Sequence, residues 1–282
     1  MPLNSISIRI KNRLIDLSTP IVMGILNVTP DSFYAASRVD DDHMLISRVQ
    51  GLLDDGAAII DVGGYSTRPF ALEVSEKEEL ARLSHALEII RHHFPNAVIS
   101  VDTFRSTVAD ELIRHFGVEM INDISGGTMD GKMDEVVAYH QVPYVLMHIK
   151  GSVQTMHQMT SYRNVTHEIA LFFAKRLQHL SELGVCDVIL DPGFGFSKSV
   201  EQNFTVLRNL SHFQMFEKPL LVGLSRKSML YKPLNTDPEH VLPATIAANT
   251  IALTAGASIL RVHDVKEAVQ AIEVYKQTVV AS

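Results

Sequence analysis

A (β/α)8 barrel preceded by a short β-hairpin is the fold class this sequence predicts, and three observations predict it. First, one pattern recurs along the chain: a short apolar run, a polar residue at its carboxyl end, a Gly/Pro loop, then an amphipathic stretch. Val185–Lys198 is the clearest case, with Val188–Leu190 apolar, Asp191 at the end, and Pro192, Gly193 and Gly195 opening the loop. Second, eight such runs follow one another at about 30-residue spacing, the size of a βαβ unit, with no linker or low-complexity break. Third, 282 residues suit one closed barrel of parallel strands joined by right-handed crossovers. The chain is therefore read as one domain, 1–20 forming the hairpin and 21–282 the barrel.

Ile6–Leu17 alternates apolar and polar residues (Ile6, Ile8, Ile10), which predicts a hairpin able to plug a barrel floor. Ile21–Leu26 is the first buried strand and ends at Asn27. Asp40–Asp55 is a helix closed by Gly56. The second strand, Ala57–Val62, carries Asp61 and leads into the loop Gly63–Pro69. Ser75 caps a helix running to His93, with Glu78 placed for a capping box. Ala97–Val101 ends at Asp102, and a helix over Ser106–Phe116 stops at Gly117. Glu119–Ile121 ends at Asn122, and Tyr144–Met147 at Met147-His148. Helix Val165–Leu183 feeds Val188–Leu190, and Val200–Phe213 is the helix after it. Pro219–Gly223 runs into Leu224–Ser228, helix Leu242–Ala255 comes next, and Ser258–Val262 carries Arg261 and leads to His263. Val265–Val279 closes the fold. No helix is assigned to 124–143.

Composition narrows the function. Hydrophobic content of 46% and charged content of 20% describe a globular protein with ample core. A net charge of −7 without a basic stripe argues against nucleic-acid binding. No apolar run reaches the roughly 20 residues of a membrane span, and the first 20 residues are too polar for a signal peptide. The lone Cys186 excludes a disulfide framework, suits a reducing cytoplasm, and reads as a small core hydrophobe. The 13 histidines form no zinc-binding spacing.

In a parallel barrel the carboxyl ends of the strands share one mouth. That places Asn27, Thr67, Arg68, Asp102, Asn122, Met147, Asp191, Lys227, Arg261 and His263 around one pocket. Asp102, Asn122 and Asp191 supply acceptors, and a carboxylate can take two parallel N–H bonds, the pair of donors on a 2-amino-4-oxo pterin or guanine edge. Arg68, Arg226, Lys227, Arg261 and His263 suit a phosphate or diphosphate. Asn27 is a hard oxygen donor, and one such ligand with substrate phosphates is a common way to hold Mg2+. The implied ligand is a flat amino-oxo heterocycle bearing a diphosphate.

Taken together, the motifs resemble the dihydropteroate synthase family over nearly the whole chain. They are Met23–Phe33, Gly63–Pro69, Ile99–Thr103, Ile121–Ile124, Leu146–His148, Leu190–Phe196, Gly223–Ser228 and Arg261–Val265, in this order. The resemblance implies condensation of 6-hydroxymethyl-7,8-dihydropterin diphosphate with p-aminobenzoate, sulfonamides as competitors, and a homodimer through barrel helices such as Leu242–Ala255 and Val265–Val279. It assigns the pterin to Asp102, Asn122, Met147, Asp191 and Lys227, and the diphosphate with its Mg2+ to Asn27, Arg68, Arg261 and His263. It assigns p-aminobenzoate to Phe33, Ser66, Thr67, Pro69, Phe196 and Ser228. The chain departs from the family at Tyr34–Ser37, at Tyr65 and Phe70, and at Ile149–Val153, all on the p-aminobenzoate side and its loops. Three other readings share parts of the pattern. One is a methyltetrahydrofolate-dependent methyltransferase, which has no need of Ser-Thr-Arg-Pro or Ser-Arg-Lys-Ser. Another is an aldolase with Lys227 as Schiff base, disfavoured by the adjacent Arg226. The third is a pterin-binding paralogue without turnover.

Overall fold

The computed structural model describes residues 6–11, 13–28, 38–65 and 74–279, with backbone alone for 38–41 and 157. A hairpin of β1 (Ser7–Ile10) and β2 (Arg13–Asp16) precedes the barrel. The barrel strands are β3 (Ile21–Asn27), β4 (Ile59–Gly63), β5 (Ile99–Asp102), β6 (Met120–Asp123), β7 (Tyr144–Met147), β8 (Val188–Asp191), β9 (Leu221–Val222) and β10 (Ile259–Val262). They pair in parallel in the order β8-β7-β6-β5-β4-β3-β10-β9, and a parallel bridge between Leu190 and Leu220 closes the ring. The helices are α1 (Arg38–Asp54), α2 (Glu76–His93), α3 (Ser106–Phe116), α4 (Met133–His140), α5 (Val165–Glu182), α6 (Val200–Arg208), α7 (Ser228–Tyr231), α8 (Leu242–Thr254) and α9 (Val265–Val279).

Side chains alternate in and out along each strand, and this period separates two cores. Outward residues such as Leu26, Ile60, Val101, Leu146 and Leu260 pack against the helices. Inward residues build a floor of Met23, Ile59, Met120, Val145, Ile189, Leu221 and Ile259, sealed from below by Ile8, Ile10 and Leu17 of the hairpin region. The plug predicted from Ile6–Leu17 is thus present.

Several local readings are corrected. Val200–Phe213 is not one helix: α6 ends at Arg208 and a 3-10 helix runs over Leu210–Phe216, separated by Asn209, whose Nδ2 donates to the Thr205 carbonyl at 3.0 Å. The α2 cap is only half the expected box, because Ser75 Oγ accepts from Glu78 N while the Glu78 carboxylate pairs with Arg82. A complete box closes instead at Ser199 and Gln202 on α6. The unassigned stretch after β6 contains α4, only eight residues long and so lacking a readable period. Strand β9 is shorter than Pro219–Gly223, with only Leu221–Val222 in the ladder. Cys186 is exposed, not a core residue, because it precedes the point where β8 enters the barrel.

Candidate active site

Two residues above the apolar floor, the same strands turn polar. Asp61 stands above Ile59, Asn122 above Met120, Asp191 above Ile189 and Arg261 above Ile259. Asp61 is fully buried, and its Oδ2 accepts from Arg261 Nε at 2.6 Å and from Asn122 Nδ2 at 2.9 Å. Arg261 Nη2 donates to Asp102 Oδ2 at 2.7 Å. One guanidinium therefore joins β4 and β5, and one carboxylate joins β4, β6 and β10. Burial opposes charge on Arg261, yet the carboxylates of Asp61 and Asp102 outweigh it and hold the guanidinium protonated more firmly than usual. Burial pushes the Asp102 carboxyl up to about 7, with Arg261 pulling the other way.

Asp61 is the buried hub of this polar layer, and the motif reading placed it on its strand without giving it a role. A carboxylate inside the run Ile59-Ile-Asp-Val62 was the available signal, since a buried strand accepts a charge only against a partner. Its second oxygen, Oδ1, and the Oγ of Ser100, its register partner on β5, are buried without hydrogen-bond partners.

Across the mouth, Asp191 is buried and its Oδ1 accepts from Gly193 N at 2.7 Å, while burial raises its carboxyl above the usual range. Lys227 precedes α7; its Nζ donates to the Phe194 carbonyl and lies 4.7 Å from the centre of the Phe196 ring. Burial lowers this amine to about 8, with Asp191 opposing the shift. Met147 packs with Ile124, Ile149 and Met156, and Phe196 joins them, giving the mouth one apolar wall. The expected crowding of Lys227 by Arg226 is absent. Arg226 turns away from the mouth into a two-bond pair with Asp264, at 3.0 and 2.6 Å, and its Nη1 donates to the Pro238 carbonyl at 3.0 Å.

At the rim, Asn27 Oδ1 and the Asp102 side chain flank Gly63, where an added Cβ would meet them at 3.4 and 3.6 Å. His263 lies beside Ser225: their side chains share a 3.0 Å hydrogen bond, and His263 N donates to Ser225 Oγ at 3.2 Å. Ser225 is a second residue missed in the sequence, the first member of Ser-Arg-Lys-Ser. Ser228 begins α7. The structure thus gathers Asn27, Asp102, Asn122, Met147, Asp191, Phe196, Lys227, Arg261 and His263 at one end of the barrel. Phe33, Ser66, Thr67, Arg68 and Pro69 lie outside the described residues.

An acceptor-rich polar layer holding Arg261 and Lys227, beside an apolar wall, at the carboxyl ends of parallel barrel strands is the arrangement of a barrel enzyme. Known proteins agree. A family described as "Pterin binding enzyme" matches residues 23–263. The dihydropteroate synthase of Escherichia coli K12 is 41% identical over 269 residues, covering 95% of this chain and 94% of that protein. The Yersinia pestis dihydropteroate synthase in complex with a sulfonamide drug superposes with a TM-score of 0.90 at 39% identity, covering 98% and 100% of the two chains. The Thermus thermophilus enzyme in complex with 4-aminobenzoate gives 0.86 at 33% identity, covering 96% and 99%. This chain belongs to the dihydropteroate synthase family, transferases of folate biosynthesis. These relatives favour neither the methyltransferase nor the aldolase nor the turnover-free reading.

Proposed function

We propose that the mouth binds dihydropterin diphosphate through Asp102, Asn122, Asp191 and Lys227, and condenses it with p-aminobenzoate to give dihydropteroate and pyrophosphate. The observation that carries this reading is the Asp61–Arg261–Asp102 bridge, buried at Asp61 and half-buried at Arg261 and Asp102, facing Asp191 and Lys227. It offers two carboxylates for paired N–H donors and keeps a fixed cation beside them. Met147 packs on the ring. Asn27, Arg68, Arg261 and His263 serve the diphosphate, while Phe33, Ser66, Thr67, Pro69, Phe196 and Ser228 line the p-aminobenzoate site.

The chemistry asks little of a base. Breaking the pterin CH2–O bond leaves a cation that the dihydropterin ring delocalises, and Asp102 and Asp191 stabilise that positive charge. The arylamine is neutral near pH 7 and attacks the CH2 carbon, losing its proton afterwards. Cations at the rim stabilise the departing pyrophosphate, and the pocket holds the two reactants in line.

The residues present fit Mg2+. Among the described residues no group of three His, Cys, Asp or Glu side chains could hold a metal ion, whereas Asn27 offers one neutral oxygen at the rim, the donor set of an ion carried mainly by phosphates. When bound, Mg2+ supplies charge neutralisation to the leaving diphosphate.

Sulfonamides are proposed to compete for the p-aminobenzoate site. Self-association through α8 and α9 is supported by the exposed Ile251 and Val274. Among the described residues no helix is long and apolar enough to cross a membrane. A cytoplasmic location is proposed from the single, unpaired Cys186. The test is pyrophosphate release with and without p-aminobenzoate, in Mg2+ and then in EDTA. Release that needs arylamine and metal, with dihydropteroate as product, is expected; tight pterin binding without release would refute turnover.

A further inference from the structure

Lys198 is a buried amine that none of the roles above uses. Its Nζ donates to the carbonyls of Gly193 at 2.9 Å and Phe196 at 3.0 Å, both in the loop after β8, and to His148 Nδ1 at 3.2 Å, in the loop after β7. The His148 ring can accept this bond because burial, reinforced by Lys198 and Lys150, drops its basicity to about 2 and keeps it neutral. The two loops touch closely here: Gly193 has φ +71°, and a Cβ on it would collide with the His148 carbonyl oxygen. Lys198 thus stands where the loops cross, its amine lowered to about 7 by burial with Asp191 opposing, and its Nζ within hydrogen-bond reach of two carbonyls and a ring nitrogen.

That loop is wound tightly. Gly193, Gly195 and Ser197 all have positive φ, Gly195 N donates to Asn203 Oδ1 at 2.7 Å, and Ser197 Oγ accepts from Lys150 N at 2.9 Å. It presents two groups to the mouth, the Phe194 carbonyl that receives Lys227 Nζ and the Phe196 ring beneath the same ammonium. A Cβ on Gly195 would press on the Lys227 side chain, so the loop and Lys227 are in register with almost no slack.

From this geometry we infer that Lys198 is a positioning residue: it pins the loop after β8 so that Phe194 and Phe196 seat Lys227 against the pterin. Without its donors, the buried Gly193 carbonyl, the half-buried Phe196 carbonyl and a buried ring nitrogen lose their partner, and the loop relaxes to find others. The effect reaches the substrate through Lys227, on one wall of the mouth, and leaves the Asn27–His263 rim in place.

This inference rests on the proposed pterin site, so the experiment separates the two. Calorimetry with dihydropterin diphosphate, and separately with Mg2+ and pyrophosphate, is run on the wild type, Lys198→Met, Lys227→Met and the double variant. Lys198→Met is expected to weaken the pterin substrate by about tenfold to a hundredfold, the cost of unsatisfied buried acceptors, and to leave pyrophosphate binding unchanged. In the Lys227→Met background the same change should cost little more, because its effect runs through Lys227. Fully additive losses, or equal losses for both ligands, would overturn the positioning role while leaving the site intact. Unchanged pterin binding in Lys227→Met would overturn the site itself, and this inference with it. Lys198→Gln, which keeps an N–H pair, provides the same comparison if Lys198→Met does not fold, and should fall between wild type and Lys227→Met.

Discussion

The floor and the mouth of this barrel are built by the same strands, two residues apart, and they are chemical opposites. Ile59, Met120, Ile189 and Ile259 meet in a dry layer plugged by the hairpin; Asp61, Asn122, Asp191 and Arg261 meet directly above. The floor is held by burial, which is non-directional and tolerates any close-packed solution. The mouth is held by charge-assisted hydrogen bonds that fail if one member is missing. The apolar layer provides the rigidity against which a buried carboxylate can be kept raised and ready, as with Asp102 at about 7. The difference teaches that stability and binding are separable here by a step of two residues along one strand.

The sharpest way to break that separation is Asp61→Leu, which removes the shared acceptor of Arg261 and Asn122 from the buried layer. We expect a loss of about 4 kcal/mol in urea unfolding together with lost pterin binding, since the half-buried guanidinium keeps only Asp102 and the buried Asn122 amide loses its acceptor. A variant of wild-type stability would show that Arg261 repairs itself. Ile189→Ala, in the floor, should cost about 3 kcal/mol of stability and leave the pterin dissociation constant unaltered. A large loss of affinity would join the two layers. Asp191→Asn, two residues above, should do the reverse: about a hundredfold weaker pterin binding by calorimetry with the melting temperature retained, because an amide presents one acceptor and one donor where a carboxylate takes two parallel N–H bonds. Unchanged affinity would remove Asp191 from the pocket.

The pH dependence sharpens the picture of the mouth alone. Only ionised Asp102 accepts a pair of N–H donors, and its carboxyl titrates near 7, so kcat/KM for the pterin substrate should rise as pH increases through that value. Lys227 loses its charge above about 8, so the rate should fall again on the alkaline side. Arg261→Met, by removing the cation that holds Asp102 down, should move the acid limb upward; an unmoved limb would assign it elsewhere. The smallest effect is expected from Ser225→Ala. Loss of its hydrogen bond to His263 should raise the KM for dihydropterin diphosphate about fivefold, roughly 1 kcal/mol, with turnover nearly constant.

Much of this site is readable in one dimension because each strand announces its own end. Asp102, Asn122 and Asp191 each follow an apolar run and precede a turn or helix start, so a parallel barrel puts them together without any knowledge of contacts. The residues that escaped that reading share one property: their meaning depends on a distant partner. Asp61 looks like an interruption of a buried strand until Arg261, 200 residues away, is placed against it at 2.6 Å. Lys198 has no assigned part in the sequence pattern, and only the fold brings His148, 50 residues earlier, against it. Ser225 reads as one more loop serine until His263 stands beside it. Arg226 erred in the other direction, a cation in the right motif whose side chain is spent on Asp264.

Period and punctuation are local properties, and from them the sequence by itself determined eight strand–helix units, the buried strand runs, the hairpin plug, and the strand-end residues that share a mouth. The tertiary structure alone decided which polar groups pair across the ring, that Arg261 bridges Asp61 and Asp102, and that burial brings Asp102 near 7 and Lys227 near 8. The physical reason is range. Backbone geometry imposes its alternation on neighbours two residues apart, whereas a buried charge takes its proton affinity and its partners from every strand that closes around it.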